Sequence, residues 1–412
     1  MAPTAPSPHQ HGQTPRPSRR EVLVGGAVGI PVALLTGSVA GAAPAAAAAP
    51  RPRDEPPAGP AVRGADVSFT LQLEEAGATW SYRGREGDPI ELLDRAGANW
   101  VRLRVWVDPP AGYSTAERAM RLARRAKQAG MNVLLDFHYS DFWADPGKQF
   151  TPKAWEGQDL AQLSATVYDY TRGWVERFAR HGAAADMVQV GNEVVAGMLW
   201  PVGQVYREET ENFADFSRLL RAGLAGVRDA HVRGRSPRTM VHIDRGGDNA
   251  GTRYFFDRLL AHDVEFDVIG QSYYPFWHGS LDDLTANLVD TASRYDKDIV
   301  VVETSYPWTL DNGDDLENLI NDPAELPDRD RWPATPRGQF DYFAALRAVF
   351  PQVPGGHGLG FMAWEPQWLP GVGWAPGEGN PNDNLTLFDF DGRALPAIEA
   401  FRHGPMRWRP RQ

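Results

Sequence analysis

From Gly64 onward, short apolar and β-branched runs end in polar residues and alternate with longer amphipathic segments. The runs are Gly64–Phe69, Trp100–Trp106, Asn132–Tyr139, Met187–Glu193, Thr239–Asp244, Phe266–Tyr274, Ile299–Ser305 and Leu359–Glu365, eight in all. Their length and β-branched content mark them as strands, and the stretches between them have helical periodicity. Several of those stretches carry helix-start chemistry. Ser114-Thr115-Ala116-Glu117 reads as a capping box, with Gly130 placed to end the same helix. Asp88-Pro89 and Thr335-Pro336 each set a capping residue before a proline suited to the first helical position. Ser280 with Asp283 opens another helix. Eight strand–helix alternations predict a parallel sheet closed into a (β/α)8 TIM barrel. The competing open, doubly wound sheet lacks the Gly-rich phosphate loop expected after its first strand.

Alternation within strands separates inward from outward positions. In Trp100–Trp106, Val101, Leu103 and Val105 share the face that packs on helices, and Arg102, Arg104 and Trp106 share the other. Inward arginines near a strand's C-terminal end require carboxylate partners, because an unpaired buried charge is very costly. Asp136 and His138 share the inward face of the third strand. Polar residues therefore collect at one mouth.

The first fifty residues follow a different pattern. Ser18-Arg19-Arg20 precedes a weakly apolar Gly/Ala-rich run, and Ala-x-Ala patterns follow. This is the layout of a secretory signal of twin-arginine type. A retained membrane anchor is the alternative, disfavoured by Gly25, Gly26, Gly29, Pro31 and Gly37. The expected organisation is a signal peptide at 1–45, a short disordered linker at 46–62, and one catalytic domain at 63–403. That makes the mature protein secreted and extracellular, without a membrane span.

Composition narrows the chemistry. The 412 residues carry a net charge of −11, with both signs interspersed, which argues against nucleic acid as a partner. There is no cysteine, so disulfides, thiolate–metal centres and thiol catalysis are excluded. A chain this long can bury a sufficient core without disulfides, and it is expected to act as a monomer.

Barrel enzymes work at the C-terminal ends of their strands. The inventory there is Asp66, Arg104, His138, Asn192, Glu193, His242, Tyr273, Glu303 and Trp364. Glu193 and Glu303 end strands four and seven, which stand roughly opposite in an eight-strand ring. Glycosidic cleavage needs such a pair, one carboxyl to protonate the leaving oxygen and one carboxylate to attack. Glu303, expected near Arg104, His138 and Tyr273, would stay ionised; Glu193, without an obvious cation, would hold the proton. Glu365 is a rival carboxylate, and polar barrel mouths also serve aldolases and isomerases. No lysine ends a strand and no metal-ligand spacing stands out, which weakens Schiff-base and metal-hydrolase readings.

His138-Tyr139-Ser140-Asp141-Phe142-Trp143-Ala144-Asp145-Pro146 resembles the signature of glycoside hydrolase family 53, the arabinogalactan endo-β-1,4-galactanases of clan A. So do Gly191-Asn192-Glu193 with Gly197–Pro201, Ser272–Gly279, and Glu303-Thr304-Ser305-Tyr306. The openings Gly64–Ser68 and Val101–Trp106 also match, and the resemblance runs in order from about Gly64 to Phe401. It implies a retaining mechanism, Glu193 as proton donor, Glu303 as nucleophile, and the β-1,4-galactan backbone as substrate. Asp145, inside the most specific stretch, joins the expected substrate-binding residues. Other clan A activities (mannanase, cellulase) and a catalytically silent carbohydrate-binding barrel are the alternatives.

Trp364 is expected to floor the subsite of the cleaved sugar, and Trp277 and Trp308 to stack flanking residues. No cofactor is required for the chemistry. The loop Asn312–Asn318 further resembles one that bacterial relatives share, which points to a structural calcium ion there, with an acidic solvated loop as the alternative. The ion's ligands would be Asn312, Asp314 and Asn318, with Asp383 completing the shell by oxygens; Leu316 stands where the family usually has histidine.

Overall fold

The computed structural model describes residues 59–207, 210–375 and 377–409. The expected signal peptide and almost all of the expected linker lie outside them. At the linker's end Pro60 is buried and its carbonyl accepts from Arg63, and Val62 already belongs to the first strand. Pro60 and Val62, expected in the linker, thus already pack with the barrel.

Eight parallel strands close into a barrel: β1 (Val62–Asp66), β2 (Trp100–Val105), β3 (Asn132–Phe137), β4 (Met187–Val190), β5 (Arg238–Ile243), β6 (Val268–Ser272), β7 (Asp298–Thr304) and β8 (Gly358–Ala363). Each strand pairs with its sequence neighbours, and β8 returns to β1. The predicted runs overshoot at their C-terminal ends by one to three residues (Phe69, Glu193, Tyr274 and Glu365 among them), because there the chain leaves the ladder to form the mouth.

Helices cover the outside. Ala116–Gln128, between β2 and β3, buries Ala116, Ala119, Leu122, Ala123 and Ala126 at helical spacing. Its cap is Thr115, accepting from the Arg118 amide, and not the predicted box on Ser114. The Ser114 hydroxyl instead faces the Arg104 guanidinium. The caps at Asp88, Ser280 and Thr335 form as expected. After β8 the described chain makes a six-residue 3₁₀ helix, Pro396–Phe401, where an eighth α-helix would close the repeat.

The inward face changes character along the barrel axis. Its floor is apolar, formed by Val62, Leu134, Met187, Met240, Val268, Val300, Val302 and Met362. Two glycines make room for the methionines: a Cβ on Gly64 would lie 2.7 Å from Met362, and one on Gly270 2.8 Å from Met240. Two residues further along the same face come Asp66, Arg102, Asp136, Gln189 and His242. Strict alternation would send Glu303 outward with Val301. A register shift between β7 and both neighbours, opposite Gln271/Ser272 and at Val301/Thr304, turns it inward instead.

Candidate active site

Arg102 organises the mouth. Its guanidinium lies 2.9 Å from Asp66, 2.8 Å from Asp136 and 2.8 Å from Glu303. It also donates to the side-chain oxygens of Gln189 and Asn192. Three carboxylates hold the charge on Arg102 firmly, and Arg102 in turn keeps Asp136 below the usual carboxylate range against the effect of burial. His138 shows which tautomer is present. Its Nδ1 accepts from the Trp106 indole at 3.2 Å and from the Ala144 amide, so Nε2 carries the hydrogen and donates to Asp136 at 2.9 Å.

Glu303 is anchored on this network. It receives Arg102 on one oxygen and the Tyr274 hydroxyl on the other, at 3.0 Å. Burial raises its pKa; Arg102 is the strongest opposing influence and Tyr274 a further one. Glu193 lies opposite in a different setting. Burial pushes its pKa well up, Glu303 and Asp244 add to that, and the Ser272 hydroxyl at 2.6 Å acts in the other direction. An oxygen of each carboxyl lies within 4.8 Å of the other. Two carboxyls this close cannot readily both ionise, and the cation sits on Glu303. The shared proton therefore belongs to Glu193. The Glu193 backbone is left-handed (φ 48°, ψ 50°), a costly conformation for a residue with a Cβ.

These groups open into a cleft of about 580 Å³, lined by Arg104, His138, Asp145, Asn192, Glu193 and Glu303 together with aromatic side chains. Trp364 and Trp277 line it as expected, the latter 59% exposed. Trp143 and Trp374 were missed by the sequence reading. Their rings meet edge to face at 4.8 Å, and both pack near Trp364, which joins the loops after β3 and β8 into one aromatic wall. Arg104 lies 4.1 Å over Trp143 and pairs with Glu365 at 3.3 Å. Glu365 also accepts from the Phe69 amide and Gln367, so the rival carboxylate is a buried strut.

Four expectations change. The arginine on Glu303 is Arg102, and Arg104 serves Glu365. The tyrosine on Glu303 is Tyr274; Tyr273 is buried and donates to the Gly279 carbonyl, because the chain leaves the ladder after Ser272 and alternation no longer decides orientation. Trp308 is not among the cleft-lining residues and its ring packs on Phe390 at 4.8 Å. Asp66 and His242 are fully buried beneath the cleft and support residues that line it.

The residues expected to hold calcium are engaged in hydrogen bonds. Asp314 accepts from the amides of Leu316, Gly371 and Asn380, Asp383 from the Gly313 amide and the Asn318 side chain, and Asn312 from the Asn318 amide. Only the side-chain oxygen of Asn318 is buried and open. A calcium shell needs six to eight oxygens turned toward one point. Here most of the candidate oxygens already accept amide N–H groups, which tie the loop to the chain around Gly371 and Asn380.

The profile of Glycosyl hydrolase family 53 matches residues 62–401. An uncharacterised protein of Niallia circulans is 45% identical over 352 residues, covering 83% of this chain and 94% of that one. The endo-beta-1,4-galactanase of Bacillus subtilis is 33% identical over 387 residues, with 83% and 85% covered. Among solved structures, the Ignisphaera aggregans GH53 catalytic domain superposes with a TM-score of 0.78 at 38% identity, covering 84% of this chain and 96% of that one.

Proposed function

The chain belongs to glycosyl hydrolase family 53, and from that premise we propose that it is an endo-β-1,4-galactanase that hydrolyses the galactan backbone with retention of configuration. The observation that carries the reading is the carboxyl pair, two glutamates within 4.8 Å of which only Glu303 faces a cation. That approach suits the short spacing of double displacement and leaves little room for the water of an inverting enzyme.

In the first step the Glu303 carboxylate attacks the anomeric carbon while Glu193 gives its proton to the departing glycosidic oxygen. Arg102 and Tyr274 orient the nucleophile, whose negative charge is consumed as the glycosyl ester forms. In the second step Glu193, now a base, takes a proton from water as that water attacks the same carbon, and the ester bond breaks to return Glu303 as carboxylate. Trp364, Trp374, Trp143 and Trp277 supply flat apolar faces for galactose rings, and Asp145 and Asn192 supply polar contacts along the cleft. We further propose export through the amino-terminal signal. Among the described residues, no helix is long and apolar enough to cross a membrane. The loop of Asn312–Asn318 acts in this reading as a hydrogen-bonded clasp on the chain around Gly371 and Asn380, beside Trp374.

The deciding experiment is turnover of debranched β-1,4-galactan by the wild type and Glu303→Ala. The variant should lose on the order of 10⁴-fold or more of activity, and azide should restore turnover with an inverted product. Wild-type turnover of mannan or cellulose and not galactan would overturn the substrate, and normal activity in the variant would overturn the nucleophile.

A further inference from the structure

The acid/base glutamate is backed by two buried side chains that the mechanism above does not use. Ser272 ends β6 and His242 lies in β5, both fully buried. The Ser272 hydroxyl is 2.6 Å from Glu193 Oε1, and the His242 Nε2 is 2.9 Å from the same hydroxyl. The direction of this chain follows from its far end. The backbone N–H of Glu193 points at His242 Nδ1, and the Gln189 side-chain amide, fixed by Arg102 on its oxygen, reaches the same nitrogen at 3.0 Å. A backbone N–H has no other tautomer, so Nδ1 must present its lone pair. Asn192 Oδ1 also lies 3.0 Å from Nδ1, but it already accepts from Arg102. Burial and Arg102 keep the imidazole neutral, which leaves one hydrogen, on Nε2, aimed at Ser272. With Nε2 a donor to it, the Ser272 hydroxyl gives its own hydrogen to Glu193 Oε1, the acceptor within its reach among the described residues.

We propose that His242 and Ser272 form a one-way donor chain that keeps Glu193 Oε1 an acceptor and so confines the transferable proton to Oε2. Both are positioning residues. Without the chain the proton would distribute between two oxygens, only one of which serves the leaving group. With it, the same oxygen gives the proton in the first step and receives one from water in the second. The charged and titratable groups around Glu193 are Glu303 from β7, Asp244 beyond β5, Asp145 from the loop after β3, and Tyr274, whose hydroxyl is given to Glu303 Oε2. Those around His242 are Arg102, Asp136, His138 and His278. None of them offers Oε1 a hydrogen in place of Ser272. The proposal rests on Glu193 acting as the acid/base, and wild-type galactan turnover tests that reading separately.

The experiment is kcat/KM on β-1,4-galactan against pH for Ser272→Ala and Ser272→Thr. A donor to the carboxylate favours its anion, so removing it raises the pKa of Glu193. The Ala variant should lose about tenfold in kcat/KM while its alkaline limb moves up by about one pH unit, the scale of one hydrogen bond to a charged group. The Thr variant, which keeps the hydroxyl, should restore both. An alkaline limb that stays put in Ser272→Ala, or moves down, overturns the proposal. So does a Thr variant no better than Ala. Should Ser272→Ala be too slow to profile, the ¹⁵N shifts of His242 in the wild type decide: Nε2 protonated with Nδ1 bare supports the chain, and the reverse tautomer or an imidazolium overturns it.

Discussion

The two glutamates are the same residue type at the same barrel mouth, yet their surroundings differ in almost every term. Glu303 is supported from below by Arg102 and from the side by Tyr274, both donors suited to an anion. Glu193 has no cation among its partners and receives a single neutral hydroxyl, with Glu303 and Asp244 nearby. The barrel thus divides the acid and nucleophile roles by where it spends its one central guanidinium. The carboxyl groups themselves carry no instruction about role.

The largest break in that asymmetry should come from Arg102. Arg102→Met leaves Asp66, Asp136 and Glu303 buried without their cation, which should cost about 3–5 kcal/mol of stability. Urea unfolding would read this loss, and a variant as stable as the wild type would contradict the central role given to Arg102. A smaller break is Tyr274→Phe. It removes one donor from an ionised carboxylate, and kcat/KM should fall roughly ten- to a hundredfold, the equivalent of about 1.5–3 kcal/mol. Tyr273→Phe is the matched control and should leave kcat/KM nearly unchanged, since its hydroxyl serves the Gly279 carbonyl.

Asp244→Asn sharpens the other side of the comparison. Burial pushes the Asp244 carboxyl up to about 6, so its charge acts on Glu193 mainly above that pH. Removing the charge favours the Glu193 anion, which lowers its pKa. The alkaline limb of the activity profile should therefore move down, by some tenths of a unit, opposite to the shift in Ser272→Ala. The smallest effect is expected from chelation. If amide hydrogen bonds hold Asp314 and Asp383, EDTA and added calcium should each leave Tm unchanged within about a degree, whereas Asp314→Ala should lower it.

The barrel was legible in the sequence because alternation and run length are local signals repeated eight times. Glu193 and Glu303 were legible for a related reason, as carboxylates at or just beyond the C-terminal ends of recognisable strands. What escaped was orientation once the ladder ended. Tyr273 and Tyr274 are adjacent, and nothing in their order tells which one meets Glu303. Arg102 and Arg104 both face inward, but which carboxylate each meets depends on depth along the barrel, set by cross-strand register. The wall of Trp143 and Trp374 brings together loops more than two hundred residues apart, a pairing no local pattern encodes. The loop oxygens of Asn312–Asn318 look like metal ligands in sequence, since spacing alone cannot show that Asp314 accepts amides from the distant Gly371 and Asn380.

Glu193 also sits in a backbone conformation that glycine and asparagine adopt far more readily. The fold gives up on the order of 1–3 kcal/mol to hold an ordinary side chain there. Tension of this kind is worth keeping only while the carboxyl is at work. A galactan-binding version of this barrel, disarmed by glycine at that one position, should therefore melt later than its active parent.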